Sequence, residues 1–347
     1  MIKQIRLLSI CLIIFFIVSC RPAAFTMPDD MAVAAERGLK QNLDLPAKNQ
    51  SASEAEAIAI APAWEPLAVR LANDGLSGPD VRRLLATLGD KPTQAPMGRK
   101  IRELYLRKFF PKPSSKMKER YYKGVVTAAN AKTCNDFLLK HNDAFIQAKR
   151  RYDVPPHIAV ALLFVETRLG TVLGDVPENA FFTLASMSVC STPESISSWL
   201  KRLPKYEQHL SWLTETMNKR ADWAYREVRS LIEYMLHDKV SPDNLPGSIY
   251  GAVGLCQFMP SNIRIYGDDG DGDGRIDLFT VPDAVSSLAK YLHSHGWEAG
   301  ISRAKQHKVL MAYNHSRIYA NTILALGDLV LKISADAKSA SRASDND

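Results

Sequence analysis

Two acidic patterns stand apart from the rest of the chain. One is a single carboxylate, Glu166, inside the apolar run VPPHIAVALLFVETRLG from Val154 to Gly170. Helical steps place Ala159, Leu162 and Leu163 on the face of Glu166, which turns the carboxylate toward apolar surroundings. Burial disfavours the charged form, and the negative end of a helix dipole adds to that. A raised pKa follows, and a carboxylic acid still protonated near neutrality is a general acid. A half-exposed Glu paired with Arg168 or another base is the structural alternative. The other pattern is DGDGDGRIDL, residues 269–278. Asp269, Asp271 and Asp273 stand at loop positions 1, 3 and 5, Gly274 at 6, Arg275 at 7 and Asp277 at 9, the spacing of an EF-hand calcium loop. Position 12 is Thr280 in place of the bidentate Glu, and Asp283 is the candidate to supply that carboxylate from a longer loop, 269–283. A metal-free Asp/Gly turn is the alternative.

The stretch 247–261, GSIYGAVGLCQFMPS, holds three glycines, a Gln and a Pro. Glycine lets backbone approach a ligand closely, and Gln257 offers both donor and acceptor to sugar hydroxyls or amides. The Lys of a phosphate-binding loop is missing. Cys256 would need a base beside it to act as a nucleophile, and no His stands near it in sequence, so a packed small residue is the simpler reading. Tyr313 and Asn314, in AYN, precede a further helix, and such residues are equally at home in cores and caps. Between Arg99 and Lys123, ten Lys or Arg stand against two Glu, interleaved with Tyr105, Phe109, Phe110, Tyr121 and Tyr122. That mixture suits nucleic acid, the rim of a groove for an anionic saccharide polymer, or a solvated face over buried aromatics.

Helices must position these residues. Pro155 and Pro156 suit a first turn and Gly170 a stop, which sets Glu166 near a helix C-terminus. Trp64 to Leu88 reads as two short helices around a turn at Gly75 to Pro79, and Ala131 to Arg151 as one amphipathic helix. Leu184 to Val189 opens an apolar segment, Ser211 to His237 reads as a long helix, and Ala284 to His295 as another. No alternating strand pattern of useful length and no solenoid-period repeat is visible, so the fold class is mainly α.

Lys3 and Arg6, the apolar run Leu7 to Val18 and the small-residue site before Cys20 make residues 1–19 an export signal, too short for a comfortable membrane span. A cysteine directly after Val-Ser resembles the bacterial lipoprotein box, which makes Cys20 the lipidation site; an ordinary secretory peptide is the alternative. Arg21 follows, with no Asp there for inner-membrane retention, so a periplasmic protein anchored to the outer membrane is favoured by analogy with lipoprotein sorting. Residues 20–62 are polar, Ala- and Ser-rich, and read as a tether; 63–335 form the folded region; 336–347 read as a disordered tail. The formal charge is +7, or +5 once Lys3 and Arg6 leave with the signal, which suits an anionic polymer or a membrane surface. Export argues against nucleic acid as a partner and against reading the first two helices as a DNA-binding helix-turn-helix. Cys134, Cys190 and Cys256 are an odd set without metal or CxxC spacing, so buried thiols are expected, with a Cys190 to Cys256 disulfide left open.

The ordered set ETRLG at Glu166, GAVGLCQFMPS at Gly251, the Asp-rich loop and AYN at Ala312, behind a lipoprotein signal, closely resembles the membrane-bound lytic transglycosylase B family. The resemblance runs from about Trp64 to Leu329. It implies a lysozyme-like helical catalytic core with an additional helical lobe, acting on peptidoglycan glycan strands to leave 1,6-anhydromuramoyl ends. It implies that Glu166 is the single acid and base, that Gln257 and Asn314 contact sugar, that Tyr313 walls the cleft, and that Ser248 lies beside the catalytic carboxylate. Arg220 and Trp223, in NKRADWAY, match saccharide-subsite positions with weaker local identity. A structural Ca2+ and no organic cofactor are expected, with cell-wall synthesis or division complexes as candidate partners. Two other readings remain: a hydrolytic muramidase with Asp175 or Glu178 as second carboxylate, and a non-catalytic peptidoglycan-binding lipoprotein. The segment Arg99 to Lys123 and the loop Ser191 to Pro204 match no motif of the family.

Overall fold

Pro residues, glycines and apolar periodicity divide the chain into helices, and a computed structural model describes residues 58–111, 120–174 and 179–344, with side chains described to 337 and not at 244. In chain order these are α1 Glu65–Asn73, α2 Pro79–Ala86, α3 Ala95–Phe109, α4 Ala128–Lys140, α5 Asn142–Tyr152, α6 Pro156–Thr167, α7 Ala180–Val189 and the single turn α8 Ser197–Leu200. There follow α9 Leu210–Asp238, α10 Pro260–Tyr266, α11 Val281–Ser294, α12 Arg303–Tyr313 and α13 Arg317–Ser344. Among the described residues, β structure is limited to isolated antiparallel bridges that join Gly247, Val253 and Phe258. The signal, Cys20 and nearly all of the tether lie outside the described residues.

The helix α6 is apolar all round, from Ile158 to Phe164, and every one of those seven side chains is buried. A helix without a polar face has to be enclosed. Four helices, α4, α5, α11 and α13, pack around it. A second, smaller core gathers Met97, Ile101 and Tyr105 of α3, Met187 of α7, Leu200 of α8, and Leu213, Met217 and Ala221 of α9. The helix α9, 29 residues long, runs through both: its first half serves this lobe, and Val228, Leu231, Ile232 and Met235 serve the main core. Trp223 sits at the seam, partly buried against both cores.

Two expectations are corrected. The amphipathic stretch 131–151 is two helices, broken at His141 (φ −115°, ψ 29°), where the Phe137 and His141 rings meet at 4.6 Å. The break lets α4 pack on α13 and α5 on α11 with no loss of apolar periodicity, which is why the pattern hides it. At the C-terminus α13 continues to Ser344, past residue 336, where a disordered tail is expected. Ala335, Ala337, Ala340 and Ala343 are strong helix formers, and a polar composition does not oppose helix.

Candidate active site

Glu166 is the penultimate residue of α6. Beyond Thr167 the backbone turns left-handed at Arg168, Leu169 and Gly170 (φ 51°, 61° and 87°), a reversal that costs non-glycine residues and ends the helix. Antiparallel to α6 lies α13. A Cβ on Gly327 would meet the His157 carbonyl oxygen at 3.1 Å, so the missing side chain brings the two helices together at the α6 N-terminus. Eight residues back along α13, Tyr319 reaches the other end of α6, where its hydroxyl donates a hydrogen bond to Glu166 Oε1. Among the described residues Glu166 makes no ion pair, and Arg168 instead places its guanidinium 4.6 Å from the centre of the Phe164 ring. Glu166 is half-buried. Burial pushes its pKa from 4.5 up to about 7, and the Tyr319 hydrogen bond, which favours the carboxylate, opposes that only in part.

Loop 247–261 is tied to the end of α6. The Thr167 hydroxyl, fully buried, donates to Leu255 O at 2.9 Å, and Leu255 N donates to Leu278 O at 2.9 Å. Gln257 takes a left-handed conformation (φ 51°), and its Nε2 donates to Leu173 O at 3.2 Å and Gly254 O at 3.1 Å. Its Oε1 takes no hydrogen bond among the described residues. Next to it, the Cys256 carbonyl accepts from the Tyr313 hydroxyl. The Tyr313 ring stands parallel to Tyr319 at 6.3 Å and edge-on to Tyr291 at 4.9 Å. Asn314 is buried at the end of α12, and its side-chain amide has no hydrogen-bond partner among the described residues. Glu166, Gln257, Tyr313 and Asn314 are thus brought together by three connections: Tyr319 to Glu166, Thr167 to Leu255, and Tyr313 to Cys256.

The remaining expected residues are placed differently. Ser248 shapes its own loop, its Oγ accepting from Tyr250 N at 3.3 Å and Ala252 N at 3.1 Å, and it shares no hydrogen bond with Glu166 among the described residues. Arg220 lies on the lobe side of α9, where the charges of Glu103 and Arg107 act on it. Cys134, Cys190 and Cys256 are all free and buried, so no Cys190 to Cys256 bond forms; burial drives the Cys256 thiol well above its usual range, which makes it a poor nucleophile. Asp175 and Glu178 lie outside the described residues.

Sequence reasoning missed Tyr319, Thr167 and Glu227. Glu227 is an acid on an apolar face of α9, the same signal that singles out Glu166. Its carboxylate, 6% exposed, accepts from both the amide and the hydroxyl of Ser261 at 3.0 Å, so it anchors the start of α10. Both lone acids are raised by burial, and the hydrogen bonds separate them: Ser261 engages both oxygens of Glu227, whereas among the described residues only the Tyr319 hydroxyl engages Glu166, at Oε1.

In the Asp-rich loop, carboxylate oxygens of Asp269, Asp271 and Asp273 converge within 4.8 Å of one another. The amides of Gly274, Gly272 and Asp273 donate to Asp269 and hold its pKa below the usual range, so it stays ionised. Carboxylate oxygens at this spacing fit Ca2+. Asp283, expected as the twelfth-position ligand, lies outside that group: its oxygens accept from Gly270 N at 2.8 Å and Asp277 N at 2.7 Å, bracing the loop from behind. Asp277 in turn accepts from Phe279 N, and Arg275 N donates to Asp273. The Asp238 carboxylate at the end of α9 accepts from Ile276 N at 2.8 Å.

A family model described as the transglycosylase SLT domain matches residues 59–305. Membrane-bound lytic murein transglycosylase B of Escherichia coli (strain K12) is 31% identical over 181 residues, which are 52% of this chain and 42% of that protein. The chain therefore spans less than half the length of this curated relative. Solved structures of lytic transglycosylases share the fold. The E. coli lytic transglycosylase SLT35 in complex with calcium aligns at 21% identity with a TM-score of 0.59, covering 80% of this chain and 97% of that chain. The soluble lytic transglycosylase SltB1 from Pseudomonas aeruginosa aligns at 21% identity with a TM-score of 0.60, covering 79% of this chain and all of that one, 100%. The architecture is accordingly the mainly helical, lysozyme-like one expected from the sequence.

The raised pKa of Glu166 has a consequence for stability. Its folded value lies above its unfolded value, so its contribution is most favourable below pH 4.5 and is lost as pH rises through about 7. Glu166→Gln removes the ionisation, so thermal unfolding should show the variant melting above the parent at about pH 8.5, by the equivalent of about 2 to 3 kcal/mol, with the gap closing toward about pH 4. A gap independent of pH would mean that the carboxyl is not held out of water.

Proposed function

Because the chain belongs to the transglycosylase SLT domain family, we propose that it is a lytic transglycosylase that cleaves the β-1,4 bond between N-acetylmuramic acid and N-acetylglucosamine in peptidoglycan without water. The observation that carries this reading is a lone carboxyl with a pKa near 7, in a site where the Gln257 Oε1 and the Asn314 side-chain amide take no hydrogen bond among the described residues. Ordinary retaining and inverting glycosidases use two carboxylates, about 5 to 9.5 Å apart. Among the described residues no second carboxylate acts on Glu166.

One carboxyl suffices if it acts twice. Protonated Glu166 gives its proton to the bridging oxygen as the C1–O bond breaks, and the N-acetylglucosamine portion leaves as an alcohol. The substrate's N-acetyl carbonyl stabilises the cationic C1. Glu166, now a carboxylate, takes the proton of the muramoyl 6-hydroxyl as O6 bonds to C1, which gives the 1,6-anhydro ring and returns the acid to its starting state. The burial that raises the pKa makes the first step accessible near neutrality, and the Tyr319 hydrogen bond stabilises the carboxylate between the two steps. Oε1 of Gln257 and the amide of Asn314 are suited to sugar hydroxyl and acetamido groups, and the Tyr313 ring to a sugar face. Ser248, Arg220 and Trp223 belong to the same proposal as further contacts along the strand.

The loop at Asp269, Asp271 and Asp273 would hold Ca2+ as a structural ion, with Asp277, Asp283 and Arg275 as supporting positions. The sequence further supports export to the periplasm and lipid anchoring at Cys20, with the outer membrane favoured and cell-wall synthesis or division complexes as candidate partners.

Glu166→Gln should lower turnover of purified sacculi by about 10²- to 10⁴-fold while leaving sacculus binding intact. Unchanged turnover would remove Glu166 from the chemistry, and binding without turnover by the parent protein would favour a scaffold. Tyr319→Phe removes a bond that favours the carboxylate, so the alkaline limb of kcat/KM, near pH 7 in the parent, should move to higher pH as kcat falls. Chelation should lower the melting temperature and added Ca2+ restore it, since an ion that binds only the folded chain stabilises it; superimposable melting curves would contradict the metal assignment.

A further inference from the structure

The cleavage chemistry makes no use of the far end of the smaller lobe, where the C-terminus of α3 meets the start of α9. The Tyr105 ring is fully buried there, and the rings of Phe109, Phe110, His209 and Trp212 stand 5.0 to 5.9 Å from it. Burial thins outward from that centre. Phe109, His209 and Trp212 are half-buried, Phe110 is 38% exposed, and Leu210, next in sequence to His209, is 44% exposed. The helix α3 ends at Phe109, so Phe110 lies beyond its last turn and presents its ring to solvent. Single exposed apolar residues are ordinary, but two of them on the rim of a five-ring cluster form a continuous apolar edge.

Cations ring this edge. Lys108 Nζ lies 5.5 Å from the centre of the Phe109 ring and 5.4 Å from that of Trp212. The Tyr105 hydroxyl donates to Pro204 O at 2.7 Å, which fixes beside the cluster a turn that carries Lys201, Arg202 and Lys205, all exposed. Among the described residues none of these four cations makes an ion pair. The acids nearby are Glu207, whose charge acts on Tyr105, and Glu215, which Lys219 already pairs at 2.5 Å. The patch is therefore apolar at its edge and positive around it. A sugar platform needs an open ring face, whereas His209 covers Phe109 in a stack at 3.9 Å and Lys108 stands over Trp212. Rings with one wet side and lysine stems with a charged tip suit a boundary between water and hydrocarbon.

We propose that this end of the lobe docks on an anionic phospholipid bilayer, with Phe110 and Leu210 entering the headgroup boundary and Lys108, Lys201, Arg202 and Lys205 held against the lipid phosphates. Apolar side chains partition into that boundary, and each basic residue near an anionic surface strengthens binding about fivefold. The sign of the charge selects the occupant: four unpaired cations are complementary to a negative surface and gain nothing from a neutral one. The setting rests on the reading that Cys20 is lipidated, which would keep the domain close to a membrane and let a weak patch act at high effective concentration. The start of α9 belongs to the patch and its second half to the core around α6, so docking would set how the cleft faces the wall.

The test uses the chain from Arg21, which keeps every described residue and carries no lipid, sedimented at low salt with vesicles of phosphatidylethanolamine and phosphatidylglycerol. The parent chain should co-sediment at millimolar lipid. Phe110→Ser should lower the partition coefficient about tenfold, and Lys205→Glu should lower it at least about fivefold. On neutral phosphatidylcholine vesicles the parent should bind more weakly, and Lys205→Glu should change nothing. Phe110 is exposed, so Phe110→Ser should melt with the parent; Leu210→Ser tests the same edge if it does not. Absence of the parent chain from the vesicle pellet overturns the proposal, and so does vesicle binding that neither Phe110→Ser nor Leu210→Ser weakens. Weaker binding of Phe110→Ser to sacculi with vesicle binding unchanged would make the patch a saccharide platform and overturn it as well. Because the chain tested carries no lipid, its result is independent of the anchor: an unacylated mature N-terminus found by mass spectrometry would defeat the anchoring reading instead.

Discussion

Everything in the site depends on keeping one carboxyl group partly out of water. A helix that is apolar on every side can exist only inside other helices, and α6 is enclosed by α4, α5, α11 and α13. Glu166, at its last turn, inherits that dryness at the point where the enclosure opens. Two terms compete there. Burial favours the acid and the Tyr319 hydroxyl favours the carboxylate, and burial wins by enough to hold the pKa near 7. A group balanced this way can give up a proton and take one back in the same catalytic cycle, which a carboxyl at its ordinary pKa would do poorly near neutrality.

The same end of α6 is also the mechanical anchor for what surrounds the acid. Thr167 fixes Leu255, Leu255 pairs with Leu278, and Leu278 is the last residue of the Asp-rich stretch 269–278. A Cβ on Gly254 would stand 2.6 Å from Leu278 O, so this contact is made backbone to backbone with no room between. From the other side α9 contributes two buried carboxylates: Asp238 holds Ile276, and Glu227 holds Ser261. The loop 247–261 is thereby clamped between α6, α9 and the Asp-rich loop. An ion at Asp269, Asp271 and Asp273 would stiffen this clamp without approaching the reacting bond.

Much of this arrangement is legible in the sequence because it rests on local rules. A Pro-Pro start, an unbroken apolar run and a terminal glycine define α6, and one acid in that run has few bland explanations. Asp-x-Asp-x-Asp-Gly spacing and the glycines before Gln257 are equally local. What is hidden depends on pairing between distant segments. Tyr319 looks like one more large residue in the rhythm Tyr319, Ile323, Leu326 and Val330, and only the antiparallel packing on α6 gives its hydroxyl a partner 153 residues away. Glu227 satisfies the rule that finds Glu166, and nothing before the fold distinguishes a carboxylate occupied by Ser261 from one kept open. Asp283 fits the arithmetic of a metal loop, yet its oxygens serve the loop's own amides. The division of α9 between two cores is likewise invisible in a single periodic stripe.

The central claim is that a single carboxyl cleaves the strand without admitting water to the cationic carbon. Digestion of purified sacculi in heavy-oxygen water, with mass spectrometry of the muramic acid ends, tests it most directly. The account predicts 1,6-anhydromuramoyl ends that carry no heavy oxygen. Reducing muramic acid ends labelled from the solvent as the main product would contradict it.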